Sequence, residues 1–155
     1  FGAVSKIVPP TVLLTSFSIL MARYKGTLSS AVEAVRVLDT VQDGDKILIS
    51  EGCTHHRQCQ DIGTVKLPGW IRSFTKAKPE FCFSSGTEFP EDLPQYKLVV
   101  HCGGCMLNER EMQSRSERAA AQNVPMTNYG IAIAYMHGIL KRSVAPLPDI
   151  AKLLE

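Results

Sequence analysis

Short apolar runs that alternate with helical segments constrain the fold of this chain more than any other feature. The two clearest runs are KILIS (46–50) and KLVVH (97–101), and residues 80–84 and 125–128 form two weaker ones. Runs of this length between turn residues are typical of buried parallel strands. The spacing of apolar residues predicts helices over 30–40, 68–77, 108–122 and 129–142. This alternation predicts an α/β fold, an open, mostly parallel sheet flanked by helices.

Two of the predicted helices begin with capping signals. Ser30 is followed by Glu33, and Asn108 by Glu111, which is the spacing of a side chain that caps the first helical turn. The region before the first helix, residues 1–27, is interpreted as a linker or as the end of a preceding domain. The main domain is therefore predicted over residues 28–155.

Composition excludes several classes of partner. The chain has 155 residues, is 45% hydrophobic and carries a formal net charge of +2. That charge is too small to predict a nucleic-acid surface. The apolar stretch at 12–22 is too short to span a bilayer, and its basic residues follow it, which is the wrong order for a secretory signal. We expect a cytoplasmic protein with no membrane or nucleic-acid partner.

The cysteines are clustered just after the two strongest apolar runs. Cys53-Thr54-His55 follows the first run, and His101-Cys102-Gly103-Gly104-Cys105 overlaps the end of the second. Ligands of open parallel sheets bind beyond the carboxyl ends of the strands. If the two strands are neighbours, both cysteine groups meet at one edge of the sheet.

The chemistry of these groups leaves three kinds of site open. Thiolates are soft ligands that select zinc, cuprous copper or iron–sulfur clusters. Two glycines inside the C-x-x-C allow a tight loop, and the helix that begins near Asn108 would stabilise an anionic cluster. Three cysteines with a histidine also describe a structural zinc site, and a C-x-x-C at a helix start describes a thiol oxidoreductase. The thiol oxidoreductase alternative leaves Cys53 and the histidines without a role.

Charged residues on the helix over 108–122 have a simpler interpretation. Arg110, Arg115 and Arg118 alternate there with glutamates, which is typical of a solvated helix face. Of the other cysteines, Cys59 is expected to be a bystander and Cys82 a core residue.

The cysteine pattern also carries a family resemblance. It consists of C-x-H at 53–55, 45 intervening residues, and H-C-x-x-C at 101–105. Further similar segments are LTSFSILMARYKG (14–26), GDKILISEGCTHH (44–56), DIGTVKLPGW (61–70) and MTNYGIAIAYMHGIL (126–140). In these segments the chain resembles the C-terminal part of HydF, the family of maturation GTPases of FeFe hydrogenases.

The resemblance implies a 4Fe–4S cluster held by Cys53, Cys102 and Cys105, with a fourth iron site that exchanges its ligand. His55 and His101, each within two residues of a cluster cysteine, are the local candidates for that ligand. By resemblance the chain is a scaffold or carrier for a transient di-iron precursor. The implied partners are apo FeFe hydrogenase, the radical-SAM maturases and other copies of the chain.

One family feature is missing from the sequence. No G-x-x-x-x-G-K-[ST] phosphate loop occurs in it. We therefore expect the chain to be non-enzymatic, with GTP hydrolysis confined to an N-terminal domain that is absent here.

Overall fold

The computed structural model describes residues 2–52 and 62–155. Its helices and strands, in chain order, are α1 (Gly2–Ile7), α2 (Phe17–Tyr24), α3 (Leu28–Val35), β1 (Lys46–Glu51), α4 (Leu67–Thr75), β2 (Glu80–Ser85), β3 (Leu98–His101), α5 (Glu109–Ala121), β4 (Met126–Asn128), α6 (Tyr129–Met136), α7 (Leu140–Val144) and α8 (Pro148–Ala151). A 3₁₀ segment, Arg36–Thr40, continues α3, a π-helical turn, Ile62–Lys66, precedes α4, and a 3₁₀ turn, Lys152–Leu154, follows α8.

The four strands form one parallel sheet in the order β2-β1-β3-β4. β1 lies inside the sheet, where Leu48 is opposite Cys82 of β2 and Val99 of β3. Each of the four predicted apolar runs is a strand in the structure. The predicted α/β fold with a parallel sheet and flanking helices is confirmed.

Side chains that alternate along the strands form two separate cores. Ile47 and Ile49 of β1 pack into the larger cluster, with residues of α2, α3, α4, α6, α7 and α8. Leu48 points the other way, into a smaller cluster with Met112 and Ala119 of α5. The sheet is thus the middle of three layers, and α5 covers its thinner side.

The first predicted helix is displaced toward the N-terminus. It begins at Leu28, two residues before the predicted start, and Thr27 is its N-cap residue, without a side-chain capping bond. Ser30 lies inside the first turn, where its hydroxyl donates to the carbonyl of Thr27 at 3.1 Å. The predicted capping box at Ser30 is therefore wrong, because Ser30 lies within the helix and the N-cap position is occupied by Thr27.

The last long helix is interrupted. The sequence predicts one helix over 129–142, whereas α6 ends at Met136 and α7 begins at Leu140. Gly138 between them adopts φ +72°. The amide of Ile139 donates to the carbonyl of Ala134 at 2.9 Å, which closes the helix end in a Schellman motif. An uninterrupted helical pattern of apolar residues hid this stop.

The segment before residue 28 packs on the larger core in part. α1 buries no residue, whereas α2 buries Ile19 and Ala22. Within residues 2–52 and 62–155, no helix has both the length and the apolar character needed to cross a bilayer.

Candidate metal centre

The carboxyl ends of β1 and β3, from which the two cysteine segments continue along the chain, are neighbours in the sheet. Ser50 of β1 lies opposite His101 of β3, and the amide of Cys102 donates to the carbonyl of Ser50 at 2.8 Å. The strands are neighbours, as the sequence argument required. Cys53 and His55 lie outside the described residues, but Cys53 directly follows Gly52 in the chain.

Cys102 is the best-defined member of the site. Its Sγ accepts hydrogen bonds from the amide of Gly52 at 3.0 Å and from the amide of Gly104 at 3.4 Å. Amide donors to sulfur are among the interactions that set the potential of iron–sulfur clusters. The partly buried thiol of Cys102 therefore occupies a position suited to a soft metal or cluster.

The C-x-x-C loop needs only one of its two glycines. Gly104 has φ +63°, and a β carbon there would lie 2.5 Å from Sδ of Met112. At Gly103, by contrast, a β carbon would meet nothing within 4 Å. The sequence predicted that both glycines are needed for the tight loop, but the structure requires glycine only at Gly104.

The second cysteine of the motif lies in the turn that follows. The amide of Leu107 donates to the carbonyl of Gly104 at 3.0 Å, which closes a turn with the exposed Cys105 inside it. Asn108 then caps α5 by accepting from the amide of Glu111 at 2.8 Å. The predicted helix start at Asn108 is confirmed, and it places the positive end of the helix dipole next to the loop.

His101 is held from both sides of its ring. The Arg115 guanidinium, which can only donate, contacts Nε2 at 2.9 Å, so Nδ1 carries the proton and donates to the carbonyl of Cys102 at 2.7 Å. The pKa of His101 is lowered to about 4, chiefly by burial and also by the charge of Arg115, against the raising effect of the Cys102 carbonyl. His101 is neutral at pH 7, and it would have to release one of these bonds to ligate a metal.

Arg115 corrects the prediction of a solvated face on α5. Its side chain is buried, donates to Glu111 at 2.8 Å and to the carbonyl of Gly86 at 2.9 Å, and lies over the ring of Phe89. The missed signal is its spacing. Arg115 follows Met112 by three residues and precedes Ala119 by four, so it lies on the apolar stripe.

Lys25 is a second residue that the sequence interpretation missed. Its side chain is buried, and Nζ donates to the carbonyls of Gly104 and Leu107, to the latter at 2.8 Å. Sequence reasoning assigned it to a linker, because nothing local connects residue 25 with a loop some eighty positions later. A buried lysine contributes to the site from outside the predicted domain.

Within the described ranges, residues 2–52 and 62–155, no three histidine, cysteine or acidic side chains are grouped closely enough to hold a metal ion. Cys102 and Cys105 belong to those ranges, and the predicted third thiolate, Cys53, does not. The three-cysteine ligand set therefore stays a prediction.

Comparison with protein families supplies the remaining observation. Residues 28–146 match the hydrogen maturase F tetramerization domain. The chain belongs to the HydF family. Residues 1–26 match the hydrogen maturase F dimerization domain. The predicted resemblance to the HydF family is confirmed, and membership gives the chain a role in hydrogenase maturation. Both HydF domains are named for self-association, which supports a homo-oligomer. A search of curated proteins finds no match.

Proposed function

We propose that this HydF-family chain is a scaffold or carrier domain that holds a 4Fe–4S cluster through Cys53, Cys102 and Cys105. In this proposal the domain takes part in assembly of the di-iron subcluster and in its delivery to apo FeFe hydrogenase. The observation that carries the proposal is the pairing of the β1 and β3 ends, which places Gly52, the residue before Cys53, in hydrogen-bond contact with Cys102 Sγ.

The donor set fits an iron–sulfur cluster. Thiolates are the usual ligands of cluster iron, and Cys102 already receives two amide N–H groups. The buried cations Lys25 and Arg115 and the start of α5 favour negative charge near the loop. When bound, the cluster would supply an iron site at which the di-iron precursor can be held and released.

The fourth ligand is proposed to be exchangeable, and the two histidines have different prospects for that role. Both ring nitrogens of His101 are hydrogen-bonded inside the protein, so its part is that of a support for the Cys102 carbonyl. His55, two residues after Cys53, is the remaining local candidate. A weakly held ligand is what a carrier needs, because the incoming precursor must displace it.

The test is a set of cysteine variants purified without oxygen. Cys53→Ser, Cys102→Ser and Cys105→Ser are each expected to lose most of the iron and sulfide that the wild-type chain binds. Cys82→Ser is the matched control, because Cys82 lies on the edge strand β2 away from the loop. Full loading of any one of the three variants, or equal loss in Cys82→Ser, contradicts the proposed ligand set. Colourless wild-type protein that contains one zinc ion would replace the cluster with a structural zinc site.

The histidine variants test the exchangeable position. His55→Ala and His101→Ala are expected to keep the cluster, and His55→Ala is expected to change its paramagnetic spectrum or its response to added imidazole. If both variants lose the cluster as completely as the cysteine variants, the exchangeable-ligand mechanism is wrong. If Cys59→Ser loses it, the third thiolate has been misassigned.

The proposal also makes the chain a non-enzymatic member of the maturation pathway. Its partners would be apo FeFe hydrogenase, which receives the di-iron unit, and the radical-SAM maturases, which build it. The chain is expected to show no GTP hydrolysis above a buffer blank, because it has no phosphate loop. Measurable turnover of GTP by the purified chain would overturn this part of the proposal.

A further inference from the structure

The end of α2 fixes the position of Lys25 in the fold. Gly26 has φ +75°, its amide donates to the carbonyl of Arg23 at 3.0 Å, and the amide of Thr27 donates to the carbonyl of Ala22 at 2.9 Å. These are the two bonds of a Schellman motif. Because Lys25 is the C-cap residue and lies between the partners of both bonds, its backbone has little freedom.

The ammonium of Lys25 joins the two ends of the turn that contains Cys105. Nζ donates to the carbonyl of Gly104, where the turn begins, and to the carbonyl of Leu107, where it ends. Lys25 is 4% exposed. A buried ammonium is costly unless its protons are hydrogen-bonded, so these carbonyls and the lysine hold one another in place.

The backbone of Lys25 is also tied to the helix that follows the loop. Its carbonyl accepts from the side chain of Gln113 in α5 at 3.3 Å. At the other end of the N-terminal segment, Arg142 of α7 donates to the carbonyls of Ser5, Val8 and Pro9 at 2.6–2.9 Å. The segment matched by the dimerization domain is therefore fastened to the rest of the fold, and Lys25 is its contact with the cysteine loop.

We propose that Lys25 is a positioning residue that couples the conformation of the Cys102–Cys105 loop to the segment matched by the dimerization domain. It holds the turn by its two carbonyl bonds and places a positive charge beside the loop. A displacement of α2 would move Lys25 and loosen the turn, and a ligand that stiffens the loop would stiffen the end of α2 in return. The part that concerns a cluster rests on the proposed function, whereas the positioning of the loop does not.

The first experiment uses the metal-free chain and needs no cluster. Lys25→Met keeps an unbranched apolar side chain up to Cε and removes the ammonium group, and Lys141→Met, at an exposed site on α7, is the matched control. Amide hydrogen exchange of residues 103–107 and 22–27 is expected to be about tenfold faster in Lys25→Met, because both hydrogen bonds of Nζ are lost. In Lys25→Met, the amides of β1 should exchange as in wild type. In Lys141→Met, exchange should match wild type in all of these segments. Unchanged exchange in both segments overturns the proposal.

Lys25→Arg keeps the experiment decisive if Lys25→Met does not fold. Lys25→Arg preserves the charge. It is expected to restore more than half of the protection from exchange that residues 103–107 lose in Lys25→Met. Exchange in Lys25→Arg that is faster at every segment, β1 included, would make Lys25 a general core residue and overturn the positioning role.

The second experiment reads the charge of Lys25 in cluster-loaded protein. Removal of a cation near an anionic cluster makes reduction harder, so the reduction potential of Lys25→Met is expected to be more negative than that of wild type, while Lys25→Arg stays close to wild type. Loading should also slow exchange at residues 22–27 in wild type and leave it unchanged in Lys25→Met. An unchanged potential, or equal slowing in both proteins, contradicts the coupling. Wild-type protein that takes up no cluster refutes the proposed function alone, because the metal-free exchange data still decide the role of Lys25.

Discussion

The two faces of the sheet are built differently. The face covered by α3, α4 and α6 is closed by an apolar cluster that includes Ile49 of β1. The face covered by α5 has a smaller apolar cluster, and beside it a polar chain runs from the partly exposed Glu111 through the buried Arg115 and His101 to the carbonyl of Cys102. The cysteine loop leaves the sheet next to this polar chain.

The comparison teaches that stability and placement are supplied by different parts of the molecule. Apolar contacts are non-directional, so the larger cluster tolerates small changes in shape. Hydrogen bonds of a buried polar chain are directional, and loss of one member leaves its partners unsatisfied. The thinner face can therefore orient the loop, at the cost of being more sensitive to substitution.

The largest effect is expected from Arg115→Met. This change leaves Nε2 of His101 and the carbonyl of Gly86 without their donor, and we expect the free energy of unfolding to fall by about 3–4 kcal/mol. Chemical denaturation of the metal-free protein measures it. Arg110→Met, at an exposed position on the same helix, is the control and should change stability by less than about 0.5 kcal/mol. Equal losses of stability in Arg115→Met and Arg110→Met would contradict the special role given to the polar chain under α5.

The next effect is a pH dependence of the metal-free protein. The folded-state pKa of His101 is lowered from 6.5 to about 4, so the folded protein binds fewer protons than the unfolded chain between these values. The stability that neutral His101 contributes is present above pH 6.5 and lost as the pH falls toward 4, by at most about 3 kcal/mol. His101→Gln should flatten this decline, whereas His137→Gln, at an exposed helix end, should not. If His101→Gln keeps the wild-type dependence of stability on pH, that dependence arises from other groups.

A smaller effect is expected at the loop itself. Gly104→Ala brings a β carbon against Met112 at a positive φ, and should cost about 2 kcal/mol. Gly103→Ala has open space and should stay within about 0.5 kcal/mol of wild type. Thermal unfolding of both proteins provides the comparison. If Gly103→Ala is the more damaging of the two, the loop has another conformation from the one described.

The smallest effect is expected on the apolar face. Ile49→Val removes one methylene from the larger cluster and should cost about 1 kcal/mol. Hydrogen exchange of residues 103–107 should not change, because this face supports the sheet and not the loop. Faster exchange in the loop of Ile49→Val would show that the two faces are mechanically linked.

The sequence predicted those parts of the fold that depend on short-range patterns. Four apolar runs became four parallel strands, and the cap at Asn108 was located because its donor lies three residues away. The helix over 129–142 was wrong because apolar residues continue on both sides of Gly138, and the local signal of a glycine that ends a helix was overlooked. At the site, the sequence argument assumed that β1 and β3 are neighbours, and only the structure shows that they pair. Lys25 was missed because its partners are some eighty residues away in sequence, and Arg115 because its charge was given more weight than its spacing on the apolar stripe of α5.

The pairing of β1 with β3 also affects the entropic cost of binding at their carboxyl ends. Gly52 and Cys102 are separated by about fifty residues and meet only where the two strands pair. Closure of a loop of that length has an entropic cost that must be met before any contact across it forms. In the metal-free fold the pairing of β1 with β3 already meets this cost. An inorganic group bound at these two strand ends would therefore not have to meet it again, and its removal is expected to leave the sheet paired.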